Sequence, residues 1–171
     1  MIHFLPGARP LPQSLAAHLY TRILMLLPAR ETPVSAQSAA LAEHALCTYG
    51  QSVLRLAYSY LRNQSDAEDI LQETLVRLLR SAPEFETQEH EKAWLLHVAA
   101  NLSKNRLRYN RLRRTDPLEE TLIAQERPDL AFVWEAVSAL PVRWREVLHL
   151  YYQEEYSTAQ IARILSRKES T

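Results

Sequence analysis

The chain has 171 residues, 20 Lys and Arg against 20 Asp and Glu, and 47% hydrophobic residues, enough for one or two small domains with a real core. Its two glycines, Gly7 and Gly50, exclude the clustered-glycine loops that cradle nucleotides; its single cysteine, Cys47, excludes an intrachain disulfide and favours a reducing compartment. A formal net charge of zero speaks against a nucleic-acid partner only if the charges are evenly mixed, because phosphate binding is electrostatic.

Residues 1–35 hold Pro6, Pro10, Pro12, Pro28 and Pro33 without sustained periodicity and read as an irregular tail. Its apolar run from Ile23 to Leu27 is too short for a membrane span or a signal-peptide core, and Met25 offers an alternative start. From Ala36 to Leu61 the positions Leu41, Ala45, Leu46, Tyr49, Val53, Leu56, Ala57, Tyr60 and Leu61 recur at three- and four-residue steps, which predicts an amphipathic helix that Gly50 can kink or divide. Asn63 and Gln64 break the pattern. Ser65-Asp66-Ala67-Glu68 then reads as a capping box, so a second helix is expected from about Asp66 to Arg80, ending before Pro83. A third is expected from about Thr87 to Arg114, where Asp116-Pro117 disfavours continuation. An acidic linker over 115–127 follows, then helical stretches at about 129–139, 141–154 and 157–165, the last opened by Ser157 with Gln160 three residues on. No strand pattern competes. The expected fold class is all-α: two helical modules, over 36–114 and 128–171, joined by the linker.

On the second helix, Ala67, Ile70, Leu71, Thr74, Leu75 and Leu78 share one side and Asp66, Asp69, Gln72, Glu73 and Arg80 the other, with Val76 inside the acidic face. That face is either a solvated surface or a docking site for a basic partner. On the third helix, Leu95, Val98, Ala99 and Leu102 form a core side, and Trp94, His97, Asn101, Lys104 and Arg108 an adjacent stripe. Lys104, Arg106, Arg108, Arg111, Arg113 and Arg114 follow with no acidic residue between Asn101 and Thr115. Like charges at helical spacing repel, so an anionic partner relieves a cost that solvation leaves standing. Cations for phosphates, amides for base edges and rings for stacking make up a single-stranded nucleic-acid surface; a membrane-surface or purely solvated basic helix is the other reading, and Trp94 alone reads as core. Near the C-terminus, Gln160, Ile161, Ala162, Leu165, Ser166 and Lys168 fit the first helix and turn of a helix-turn-helix. Catalytic and metal readings are thin. The six histidines form no HExxH pair, and Asp66-Ala67-Glu68-Asp69 imitates a magnesium motif without a facing acidic cluster, since neither Glu119-Glu120 nor Glu154-Glu155 reads as its partner. No enzyme activity, cofactor or small-molecule substrate is expected.

The ordered set resembles the extracytoplasmic-function sigma factors of bacterial RNA polymerase. Tyr49-Gly50 through Leu61-Arg62, Asp66 through Thr74, and Ala93-Trp94-Leu95 through Leu102 with the Arg-rich end look like that family's domain 2. Leu140-Pro141, Arg145-Glu146-Val147-Leu148 and Leu150-Tyr151-Tyr152 with the helix-turn-helix look like its domain 4. The resemblance implies a cytoplasmic initiation factor whose partners are core RNA polymerase and promoter DNA, with an anti-sigma factor left open. It makes Asp66, Asp69, Gln72, Glu73 and Val76 the polymerase surface. Trp94, Asn101, Lys104, Asn105, Arg108, Arg111, Arg113 and Arg114 become the candidates for the −10 element, where bases leave the stack at a cost of a few kcal/mol that stacking and polar contacts offset. The recognition helix should begin near Lys168 or Glu169, yet the sequence given ends at Thr171. The domain 4 motif therefore reads as truncated, with Ile161, Ile164 and Leu165 partly uncovered and the C-terminus frayed. The alternative is a polymerase- or regulator-binding helical protein without initiation activity. Under either reading the zero net charge is expected to be the sum of an acidic protein surface and a separate basic DNA surface.

Overall fold

The structure, a computed structural model, describes residue 21 and residues 36–81, 83–112, 136–137 and 139–169. The expected tail, the linker, most of the 129–139 helix, and Arg113 and Arg114 lie outside the described residues. Among the described residues the chain is all-helical: α1 (Ala36–Leu61), α2 (Gln64–Ser81), α3 (Gln88–Leu112), α4 (Val142–Tyr152) and α5 (Thr158–Ile164).

Helix α1 has the bounds its periodicity predicts and continues unbroken through Gly50, which is buried. Its apolar positions Ala45, Leu46, Tyr49, Val53, Leu56, Ala57 and Tyr60 are all buried. The chain then reverses in two residues. Arg62 adopts a left-handed conformation (φ 55°), its amide still bonded to the Tyr58 carbonyl at 2.9 Å. The expected Ser65–Glu68 capping box is replaced by an earlier cap: the Asn63 side chain accepts from the Asp66 amide at 2.7 Å, so α2 starts at Gln64. Gln64 instead takes up the Glu68 carboxylate at 2.9 Å.

Helix α2 buries Ala67, Ile70, Leu71, Thr74, Leu75 and Leu78, the side read from its wheel. The buried Thr74 hydroxyl donates to the Ile70 carbonyl at 2.7 Å, which satisfies it without a cross-helix partner. Thr87 caps α3 by accepting from the His90 amide at 3.1 Å. Helix α3 buries Leu95, Leu96, Val98, Ala99, Ala100 and Leu102 against α1 and α2. Pro141 precedes α4, where its missing N–H costs nothing.

Helix α5 carries the capping box the sequence predicts: Ser157 Oγ accepts from the Gln160 amide, and Gln160 Oε1 accepts from the Ser157 amide at 2.9 Å. It closes with a left-handed residue, Ser166 (φ 52°), while Arg167 N–H bonds to Ala162 O at 2.8 Å and Ser166 N–H to Arg163 O at 3.1 Å. These are the two bonds of a Schellman ending, which satisfies the last helical carbonyls.

Helix α4 packs on α1 and α5 on α3, so the two expected modules share one buried cluster. Ile161, Ile164 and Leu165, expected to be partly uncovered, are 4%, 4% and 5% exposed. The physical reason is that α5 packs on both α3 and α4, which together cover its apolar face.

Candidate nucleic-acid and polymerase interfaces

The stripe on α3 is divided by the partners its residues find. Asn101, Asn105, Arg108 and Arg111 are exposed, and Arg108 donates to Asn105 Oδ1 at 3.2 Å. Steps of four, three and three residues hold these four on one side of the helix, an outward row of amides and guanidinium groups. Lys104 turns inward: its ammonium lies 3.4 Å from Glu146 Oε2 of α4. Trp94 is half-buried with its ring edge-on to Phe85 at 5.9 Å, in agreement with the core reading of that residue. His97 bridges the α3–α5 contact. Its Nδ1 lies 2.6 Å from the Ile164 carbonyl and its Nε2 3.0 Å from Asn101 Nδ2. A carbonyl only accepts and an amide NH2 only donates, so Nδ1 carries the proton and Nε2 the lone pair.

The basic run and the acidic face of α2, expected to be separate surfaces, meet. Arg106 reaches from α3 to Asp66 Oδ1 (3.0 Å) and Asp69 Oδ2 (3.5 Å), and Asn110 donates to Asp66 Oδ2 at 3.1 Å. Opposite charges on adjacent helices meet, so part of the zero sum is neutralised in place. The acidic face is also less exposed than its wheel suggests. Val76 is 4% and Gln72 2% exposed, and Val76 joins the core cluster. A helix gripped from both flanks buries more than the single stripe a wheel assigns it. Glu73 remains outward in an i,i+4 pair with Arg77 at 3.3 Å. Asp69, Gln72 and Glu73 line one wall of an open groove between α2 and α3, and Asn105, Arg106 and Tyr109 the other. Gln72 Nε2 is buried there without a hydrogen-bond partner.

Of the helix-turn-helix residues, Ile161 and Leu165 are buried, Ala162 is half-buried, and Ser166 makes the turn. Gln160 contributes to its own cap and also donates from Nε2 to Glu89 of α3. Lys168 is exposed. Among the described residues no cluster of three or more His, Cys, Asp or Glu could hold a metal, and no helix is long and apolar enough to cross a membrane.

Two acidic side chains not singled out as functional from the sequence turn out to organise the contact of the α4–α5 module with α1 and α3. Glu146, 1% exposed, receives the Tyr60 hydroxyl, the Lys104 ammonium and the Arg167 guanidinium. Burial, followed by the Glu146 charge and hydrogen bond, pushes the Tyr60 hydroxyl far above its ordinary value, so it stays a donor. Glu154 lies 2.7 Å from Lys92 Nζ of α3 and 3.7 Å from His149 Nε2. Burial alone would raise the Glu154 carboxyl, but the nearby His149 ring and the Lys92 ammonium outweigh it and hold it down to about 2. Lys92 also sits over the Tyr156 ring at 5.4 Å. A sequence signal existed for Glu146. Val142, Glu146 and Leu150 fall at four-residue steps, so an inward-facing stripe contains a carboxylate that must find partners.

Residues 47–113 match the family described as Sigma-70 region 2, and residues 133–171 that described as Sigma-70, region 4. RNA polymerase sigma factor SigV of Bacillus subtilis is 28% identical over 125 residues, which cover 71% of this chain and 75% of that protein. ECF RNA polymerase sigma factor SigM of Mycobacterium tuberculosis is 31% identical over 121 residues, covering 68% of this chain and 62% of its own length. ECF RNA polymerase sigma factor SigX of B. subtilis is 25% identical over 138 residues, 72% of this chain and 71% of that one. Both matched regions stand in the order of the two helical modules described above, and together they take in α1 through α5 apart from the first residues of α1. The chain thus belongs to the extracytoplasmic-function sigma factors, the transcription initiation factors that direct bacterial RNA polymerase to promoters.

Proposed function

We propose that the chain performs initiation with two surfaces of its first module: the α3 row captures the unpaired strand of the −10 element, and the α2 wall of the α2–α3 groove docks on core polymerase. The observation that carries this reading is the exposed row Asn101, Asn105, Arg108 and Arg111, which joins amides to cations with no acidic residue among them. Amides can pair with base edges and guanidinium groups with phosphates and ring faces. Lys104 borders the row and adds a cation once it leaves Glu146; Arg113 and Arg114 extend it in sequence. Trp94 supports from within, as a packing residue beside the row.

On the polymerase side, Glu73 is the outward acidic contact, with Asp66 and Asp69 already half-neutralised by Arg106. A buried amide without a partner costs about 1–3 kcal/mol. Gln72, buried at the groove wall with its Nε2 unpartnered, backs this surface rather than presenting a contact. Val76 acts only by holding α2 in place. Melting is driven by binding energy and needs no covalent step, so the protein works without catalysis. Its place of action is the cytoplasm, where polymerase and chromosome are.

The test is a pull-down with core RNA polymerase followed by run-off transcription from a genomic promoter library. Asn105→Ala with Arg108→Ala is expected to lower promoter opening about tenfold or more while leaving core binding unchanged, since base stacking and polar contacts each contribute about 1–3 kcal/mol. Loss of core binding in that variant would refute the division of surfaces. Core binding without transcripts in the unmodified chain would select the alternative of a polymerase-binding protein that does not initiate.

A further inference from the structure

We propose that Arg145 of α4 and Arg62 of the α1–α2 turn form a binding site for a phosphate dianion, either free or carried as a monoester on a small molecule.

The site begins with the placement of two guanidinium groups. The Tyr60 hydroxyl donates to Glu146, which sets the end of α1 against α4. Arg62 follows Tyr60 by two residues and Arg145 precedes Glu146 by one, so the same contact brings together two half-buried cations from different elements. Like charges repel more strongly there than in open water. Burial first, and then the Arg62 charge, pushes the Arg145 guanidinium below its ordinary value.

The carboxylate that could relieve this pair is already engaged. Glu146 takes the Lys104 ammonium and the Arg167 guanidinium, so two cations share its one negative charge. Arg145 forms no ion pair among the described residues, and its Nε is buried without a hydrogen-bond partner. An unpaired buried donor on a cation is costly, and a charged acceptor is the group that satisfies it best. The neighbouring Arg143 differs: it is exposed and lies over the Trp144 ring at 5.5 Å. The orphan donor is therefore particular to Arg145, not a general property of arginines on α4.

At Arg62 the backbone points the same way. Its φ of 55° is a conformation that glycine adopts at least cost, yet the position carries a long cationic side chain. An oxyanion between the two guanidinium groups satisfies the Arg145 donor and removes the repulsion. Guanidinium forks match phosphate oxygens two at a time. A dianion neutralises both cations, whereas each phosphodiester of a nucleic-acid backbone neutralises one, so the charge count favours phosphate or a phosphate monoester. Binding there ties the α1–α2 turn to α4 and stabilises the folded chain by mass action.

The full chain tests this with sodium phosphate as the probe at constant ionic strength, read by Tm and by the side-chain Nε–Hε NMR signal of Arg145. The unmodified chain is expected to gain about 2–4 °C along a saturating curve, and the Arg145 signal to shift along the same curve. Phosphate also stabilises proteins by exclusion from their surface, so the decisive quantity is the difference from Arg145→Gln, which is expected to keep only the part that does not saturate. Arg62→Gly suits the left-handed backbone and serves if the first variant folds poorly; it is expected to raise Tm in chloride and to weaken phosphate binding about tenfold or more. Arg143→Gln is expected to leave the response unchanged. A response that never saturates, or that survives in both Arg145→Gln and Arg62→Gly, overturns the site, as does an Arg145 signal that ignores phosphate. Adenosine monophosphate and an oligonucleotide without terminal phosphates separate the sources. A saturating response to phosphate upholds the site, and the mononucleotide then shows whether a monoester enters it. If only the oligonucleotide moves the Arg145 signal, the dianion site falls and Arg145 is a contact to nucleic-acid backbone.

Discussion

Helices α1–α3 and the α4–α5 seam share one apolar cluster but differ in how much buried charge they carry. The first unit closes over a continuous apolar cluster in which Leu46, Leu56, Leu71, Leu75, Leu78, Leu95 and Leu96 are at most 1% exposed. The seam adds Leu150, Tyr156, Ile161, Ile164 and Leu165 to that same cluster and sets beside them two acidic residues, Glu146 and Glu154, each gathered by cations and hydrogen-bond donors. Apolar burial is non-directional and indifferent to pH, whereas a buried carboxylate is stable only in one protonation state and with all its partners present. The seam is therefore the part whose stability depends more on pH.

The comparison is broken most directly in the core. Leu71→Ala and Leu96→Ala, both at fully buried positions, should each cost about 2–5 kcal/mol and lower the urea midpoint of the α1–α3 unit and the seam together. Glu154→Gln should act on the seam alone. Its carboxyl is held at about 2 against an ordinary 4.5 by His149 of its own module together with Lys92 of α3, and loss of the Lys92 share is read as faster amide exchange in α5 while α1–α3 keeps its protection.

Acid should separate the two parts without mutation. The folded Glu154 binds fewer protons than the free group between about 2 and 4.5, so its contribution is complete above that window and is lost as pH falls through it. Glu91 has the opposite sign. Burial pushes its carboxyl up, with the His44 charge opposing. Within α1–α3 protonation relieves a cost, and that gain arrives as pH falls through the raised value toward the ordinary one. Exchange in α5 should accelerate on acidification while α2 and α3 stay protected; simultaneous loss would show that the two parts are one cooperative unit.

Smaller changes sharpen the picture. Removing the Asn63 cap with Asn63→Ala should cost about 1 kcal/mol, seen as a few degrees in Tm. Arg106→Ala, which releases half-buried Asp66 and Asp69, should cost about 1 kcal/mol or less and leave more negative charge on α2. Glu73→Ala at an exposed i,i+4 pair with Arg77 should change stability by no more than about 0.5 kcal/mol, so any effect on polymerase binding would be a contact effect.

The helices were legible because their signals are local. The spacing of Leu46, Val53 and Leu56 marks α1 to the residue, and Ser157 with Gln160 marks the start of α5, since cap and periodicity need only neighbours in sequence. The start of α2 differs from its expected place for an equally local reason: Asn63 and Ser65 are both competent caps, and the one at the tighter reversal after Arg62 prevails. The site was legible by composition and illegible by partnership. Asn101, Asn105, Arg108 and Arg111 stand where the helical spacing puts them, but nothing local says that Arg106 points to Asp66 and Asp69, that Lys104 points to Glu146, or that Gln72 and Val76 are buried.

By itself the amino-acid sequence determined an all-helical chain of two matched regions and a cation-rich α3, because helical periodicity and charge runs are properties of neighbours. Only the tertiary structure decided which cations remain available, what covers Ile161, Ile164 and Leu165, and where two buried carboxylates find their partners. Those outcomes depend on residues such as Tyr60 and Glu146, 86 positions apart, whose meeting no local pattern encodes. The zero net charge belongs to both accounts: its sum is written in the composition, while its division into pairs such as Arg106 with Asp66 and Lys104 with Glu146 is a property of the fold.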